Sequence, residues 1–172
     1  MKRKIIVILT VIICFLLQST IFKFLSFASI SPNLLIIVTS SFGFMRGKKE
    51  GMVIGFFSGL LIDIFYGSVI GLYALLYMYV GYVNGFFRAI FFQDDIKLPM
   101  LLISASDLAC NLCIYFFRFL FRKQFDIGYY FLHLMIPELV YTLLVTILLY
   151  WLILKINQWL EKSEKRSEAK FV

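Results

Sequence analysis

An all-α integral membrane fold with six transmembrane helices is predicted by three observations. Of the 172 residues, 62% are hydrophobic, and the mean hydropathy is +0.91. Only 16% are charged, against roughly 25% in a soluble domain. The apolar runs are long, and short segments holding most of the Lys and Arg separate them. An α-helical span takes about 20 apolar residues, so six leave little length for a soluble catalytic or receptor domain. Residues 1–160 are read as a single six-helix transmembrane domain and residues 161–172 as a charged cytoplasmic tail.

The first span is residues 5–22, behind the basic start Lys2-Arg3-Lys4. That start and the small residues of Ser26-Phe27-Ala28 also suit a secretory signal. A signal precedes an exported soluble domain, and no such composition follows, so the segment is expected to stay in the membrane. Residues 31–45 form the second span, opening on Ser31-Pro32, a capping residue and a proline suited to the first helical position. The third runs from Gly51 to Tyr66, the fourth from Ser68 to Phe87 and the fifth from Leu98 to Phe119. The sixth ends near Leu154, and its start has two readings. If the helix begins near Tyr129, Pro137 kinks it and Glu138 lies deep. If it begins at Pro137, Glu138 sits in the first turn and complements the positive helix end. In that second case residues 122–136 form an outer loop and His133 lies at the interface.

Orientation follows from the cations, because cytoplasmic loops retain them. Lys2, Arg3, Lys4, Arg46, Lys48, Lys49, Arg88, Lys97, Lys155, Lys162, Lys165, Arg166 and Lys170 fall on one side of six spans. Only Lys23, Arg118, Arg122 and Lys123 fall on the other. Both termini are therefore placed in the cytoplasm. The formal charge of +7 is explained by topology, which leaves a nucleic-acid partner without support. Trp151 and Trp159 flank the inner end of the last span, where indoles anchor at headgroup level.

Gly51, Gly55 and Gly59 recur every four residues, Asp63 takes the next slot, and Gly67 and Gly71 follow. Such a stripe lets another helix approach closely. It suits packing within the chain or an interface with a second chain, a homodimer included. A carboxylate in an apolar segment needs a partner, water or a proton. Asp63, near an outer helix end, is either solvated or accepts hydrogen bonds from a partner helix. Asp107 lies about 15 Å along its helix from Lys97. Together with Ser104, Asn111, Tyr115 and Arg118 it draws a polar stripe that must face protein or a wet cavity.

Catalytic constellations are not found. There is no P-loop, H-E-x-x-H or G-x-S-x-G motif, and one histidine cannot build a zinc site with Cys14, Cys110 and Cys113 inside apolar runs. The adjacent acids Asp94 and Asp95 read as solvated loop residues. No catalytic residue, metal site or cofactor is expected.

The stretch from Ser31 to Gly85 carries Pro32-Asn33-Leu34, Arg46, and Gly55-Phe56-Phe57-Ser58-Gly59-Leu60-Leu61-Ile62-Asp63. Gly67, Gly71-Leu72-Tyr73-Ala74 and Gly81-Tyr82 follow, with Gln18-Ser19 and Ile136-Pro137 as outlying support. In these residues the chain resembles the rod shape-determining membrane protein MreD. The resemblance implies a noncatalytic subunit of the bacterial cell-elongation machinery in the cytoplasmic membrane. Its implied associates are MreC, the actin-like filament MreB, the RodA glycosyltransferase and its class B penicillin-binding partner. MreD-like chains are also similar in size and span count to the S-components of energy-coupling-factor vitamin transporters, which supplies the alternative of a small-molecule binder. The A-x-x-x-A docking motif of such components is missing from the first span.

Overall fold

The computed structural model describes residues 2–20, 31–67, 70–90, 96–122, 128 and 131–168, and these are almost entirely helical. The helices are α1 (Lys2–Ser19), α2 (Leu34–Arg46), α3 (Lys48–Tyr66), α4 (Leu72–Asn84), α5 (Lys97–Arg122) and α6 (Ile136–Glu168). A 3₁₀ segment, Gly85–Ile90, continues α4, and a π-helical turn, Phe131–Met135, leads into α6. Ser26-Phe27-Ala28, Lys23, Lys123, Lys170 and the Asp94-Asp95 pair lie outside the described residues, as do the side chains of Arg118 and Arg122.

The chain organises around α2. Its sequence is apolar on every side, and a helix of that kind is stable only when surrounded. Every residue from Leu34 to Met45 is buried, and all five other helices touch it. Its start is capped by the Asn33 side chain, which accepts the Ile36 N–H at 3.4 Å. Gln18 Oε1, from the end of α1, accepts the neighbouring Leu35 N–H at 3.2 Å. Phe44 meets the ring of Tyr150 on α6. Near the same end of α1 as Gln18, Phe15 packs against Phe65 of α3, with ring centroids 5.1 Å apart.

The outward faces are apolar. Ile8 and Leu9 of α1, Phe57 and Ile64 of α3, and Leu144 and Leu148 of α6 are all exposed. This inverts a soluble bundle, in which the polar side of each helix faces out.

The spans differ from expectation in an informative way. Among the described residues, two helical stretches suffice by length and composition to cross a membrane, Lys97–Phe117 and Phe131–Ser163. The others are either short or charged near an end. At 13 residues each, α2 and α4 are only about 20 Å long. The charges of α1 lie in its first turn, at Lys2-Arg3-Lys4, and α3 carries Lys48-Lys49-Glu50 in its first turn and Asp63 near its end. The last helix starts at Ile136, so Pro137 and Glu138 lie in its first turn, and it continues to Glu168. The segment from Glu161 is thus part of a helix to Glu168, in keeping with the helix propensity of its Glu and Lys.

Two bonds fix which ends lie together. Arg3 of α1 forms an ion pair with Glu50 of α3, and Arg46 Nε donates to Asn157 Oδ1 of α6. The start of α1, the α2–α3 turn and the distal half of α6 therefore share one end of the bundle.

Candidate functional site

The closest helix pair is α3 with α4. An added Cβ on Gly55 would collide with the Tyr77 carbonyl, on Gly59 with that of Tyr73, and on Gly51 with that of Gly81. Gly81 is equally tight against Gly51 from the other side. Backbone thus lies on backbone along the length of the pair, and the partner of the glycine stripe is the chain's own α4. Gly67 and Gly71 belong to the connection. Gly67 ends α3, its N–H bonded to Ile62 O and Asp63 O. Gly71 precedes α4 at φ +103, a conformation that disfavours any side chain.

Asp63 completes this pairing. It is 1% exposed, which overturns the reading of a solvated helix end. Its Oδ2 accepts the backbone N–H groups of Gly71 at 3.0 Å and Ala74 at 2.8 Å, and its Oδ1 accepts that of Tyr73 at 3.0 Å. The first amides of a helix have no partner within it. No side chain on the α4 N-cap residue can serve, since that residue is Gly71. Asp63 therefore caps α4 from the preceding helix, with its negative charge at the positive dipole end. A hydrogen-bonding helix start was among the expectations for Asp63, and the helix proves to be internal.

A second cluster joins four helices at Asn33. Its Oδ1 accepts the Tyr77 hydroxyl of α4 at 2.6 Å, and its Nδ2 donates to Asp107 Oδ1 of α5 at 3.3 Å. Its backbone N–H donates to Thr142 Oγ1 of α6 at 3.1 Å. Thr142 also flanks the Asp107 carboxylate, whose Oδ2 makes no close hydrogen bond. One amide side chain thus uses both its acceptor and its donor across helices. Farther along, Asn84 Nδ2 donates to Ser106 Oγ of α5 at 2.8 Å and to its own helix at Val80 O.

The polar stripe of α5 is only partly engaged. Asp107 is fully buried and Asn111 nearly so, whereas Ser104 is half-buried and donates to Met100 O of its own helix. Tyr115 is half-buried, as are Pro137 and Glu138 on α6. Asp107 thus belongs to the Asn33 junction, not to the Asp63 cluster. Asn33, Tyr77, Thr142, Asn84 and Asn157 were not singled out as site residues from sequence. Polar residues inside apolar runs were the available signal, and Asn33 stood in a motif.

Cys14 and Cys110 are buried and Cys113 is exposed, all as free thiols. Among the described residues, no group of three or more His, Cys, Asp or Glu side chains is placed to hold a metal. The two clusters link helices through hydrogen bonds between their side chains and to backbone.

Comparison with known proteins separates the two sequence-based readings. No curated protein and no solved structure matches the chain, so a likeness to transporter S-components gains no support. Residues 2–160 match the family model described as rod shape-determining protein MreD. That span covers every helix described above except the last residues of α6, and on it rests the assignment: the chain belongs to the MreD family of bacterial membrane proteins.

Proposed function

We propose that the chain is a noncatalytic scaffold subunit of the bacterial rod-shape machinery, binding an MreC-like protein and helping to organise peptidoglycan synthesis. Its links to MreB, RodA and a class B penicillin-binding protein are indirect in this reading. The observation that carries it is the family match over residues 2–160. The packing is consistent with such a role. Polar side chains turn inward to clamp helices, and long apolar faces remain outside for lipid and partner helices. The proposed arrangement in the cytoplasmic membrane is six spans with both termini in the cytoplasm. The shared end of α1, the α2–α3 turn and α6 supports that arrangement. A homodimer would use a face other than the glycine stripe, which α4 fills.

Affinity capture of the tagged full chain from native membranes, followed by mass spectrometry, tests the proposal. An MreC-like partner is the expected prey. Recovery of an ATPase module with a bound vitamin would instead move the chain to the transporter reading.

A further inference from the structure

At the end of the bundle that holds Arg3 and Asn157, the turn between α2 and α3 faces the 3₁₀ segment after α4 across a pocket of about 450 Å³. Arg46, Lys48, Lys49 and Arg88 line it, with Gly47, Gly85 and Glu50. Glu50 is engaged by Arg3, so the lining acid is already neutralised. The glycines shape the floor. Gly47 holds φ +100, and a Cβ there would sit 3.2 Å from Arg88 Cδ and 3.3 Å from Nη1, so the Arg88 side chain lies directly over the turn. A Cβ on Gly85 would strike the Lys48 backbone, so the 3₁₀ segment also abuts the start of α3. Lys48 Nζ stands 3.4 Å from the centroid of the Phe86 ring, which fixes one cation at the rim.

We propose that this pocket binds the phosphate headgroup of an anionic phospholipid. Charge complementarity supplies the first argument, since four cationic residues line a concave site whose one acid is paired with Arg3. The second is what surrounds it. Tyr82, Phe86 and Ile90 beside the pocket are exposed, Ile90 by 57%. A headgroup bound in the pocket has its acyl chains beside this apolar flank, as a lipid's amphipathic structure requires and a soluble anion's does not. Loop cations that served orientation alone would need neither a pocket nor a glycine floor under the guanidinium. The inference rests on the membrane-embedded reading and is independent of any role in cell shape.

The test uses the purified full chain in detergent, with affinity for fluorescent phosphatidylglycerol and phosphatidylcholine measured separately and retained lipid counted by native mass spectrometry. Phosphatidylglycerol should bind more tightly, and Lys49→Gln alone should weaken it about five-fold. Lys49→Gln with Arg88→Gln should weaken it about 10- to 30-fold, from the attraction ordinarily found per basic residue at an anionic surface. Lys155→Gln with Lys162→Gln removes the same charge outside the pocket and should change affinity less than about two-fold. Equal losses in the two double variants would reduce the effect to general surface attraction and overturn the proposal. So would equal binding of the two lipids. Tighter binding of glycerol phosphate than of phosphatidylglycerol would assign the site to a free phosphate, and tighter binding of a polyglutamate peptide to an acidic protein segment. Either result overturns the lipid assignment.

Discussion

Replacing Asp63 by leucine removes the acceptor for three backbone amides at the start of α4, those of Gly71, Tyr73 and Ala74. Interhelical hydrogen bonds in membrane proteins average about 0.6 kcal/mol and reach about 1.7 kcal/mol. Three lost together cost about 2–5 kcal/mol, and the carboxylate's charge places the effect toward the upper part of that range. Asparagine is milder. It keeps one oxygen, but its amide group must face at least one N–H, so about 1–3 kcal/mol is expected. In a chain of this size 1 kcal/mol shifts the melting temperature by roughly 2–4 °C. A thermal melt of a fluorescent fusion in detergent, read by size-exclusion chromatography, should therefore show the leucine variant lower by about 5–15 °C and the asparagine variant between it and the parent. A leucine variant melting within about 2 °C of the parent would mean that Asp63 does not cap α4, and the account of the α3–α4 connection would fall with it.

The remaining predictions use the same fusion or whole cells. Gly55→Ala should lower the folded yield more than Gly71→Ala, because the first Cβ meets the Tyr77 carbonyl while the second enters open space and costs only backbone strain of about 1–2 kcal/mol; equal yields would refute the close approach. Asn33→Leu should destabilise more than Tyr77→Phe, since it removes side-chain bonds to both α4 and α5 whereas the phenylalanine loses one hydroxyl, at about 1 kcal/mol; the reverse order of melting temperatures would count against the four-helix junction. In a background without native cysteines, a cysteine near Phe27 should react with an impermeant external reagent and Lys49→Cys should not, and the opposite pattern would invert the proposed topology.

The sequence made the helical membrane class legible through hydropathy, and the α3 packing face through glycines at every fourth position. Asp63 stood out because it continued that spacing. Its partner did not, because the pairing is with backbone amides, which carry no side-chain signature, across a short connection. The junction at Asn33 was hidden for a different reason. It links residues separated by as many as 109 positions, and each lies in an apolar run where a lone Asn, Tyr or Thr is unremarkable. Asp107 was expected to face protein or a wet cavity, and its contact with Asn33 came only with the structure. The central place of α2 follows from an apolar pattern with no polar side, yet a lipid-facing span has the same pattern.

Burial of α2 on every side has a consequence for the timing of synthesis. Asn33 and the hydroxyls of Thr39, Ser40 and Ser41 belong to a helix made early, while Asp107 and Thr142 arrive up to about 100 residues later. At roughly 5–20 residues per second, the nascent α2 waits about 5–20 s before the last of its surroundings exists. During that interval Tyr77 of α4 and Gln18 of α1 are already available to the start of α2, while the Asn33 donors still lack Asp107 and Thr142. A chain cut short before α6 would leave the Asn33 backbone N–H without its Thr142 acceptor.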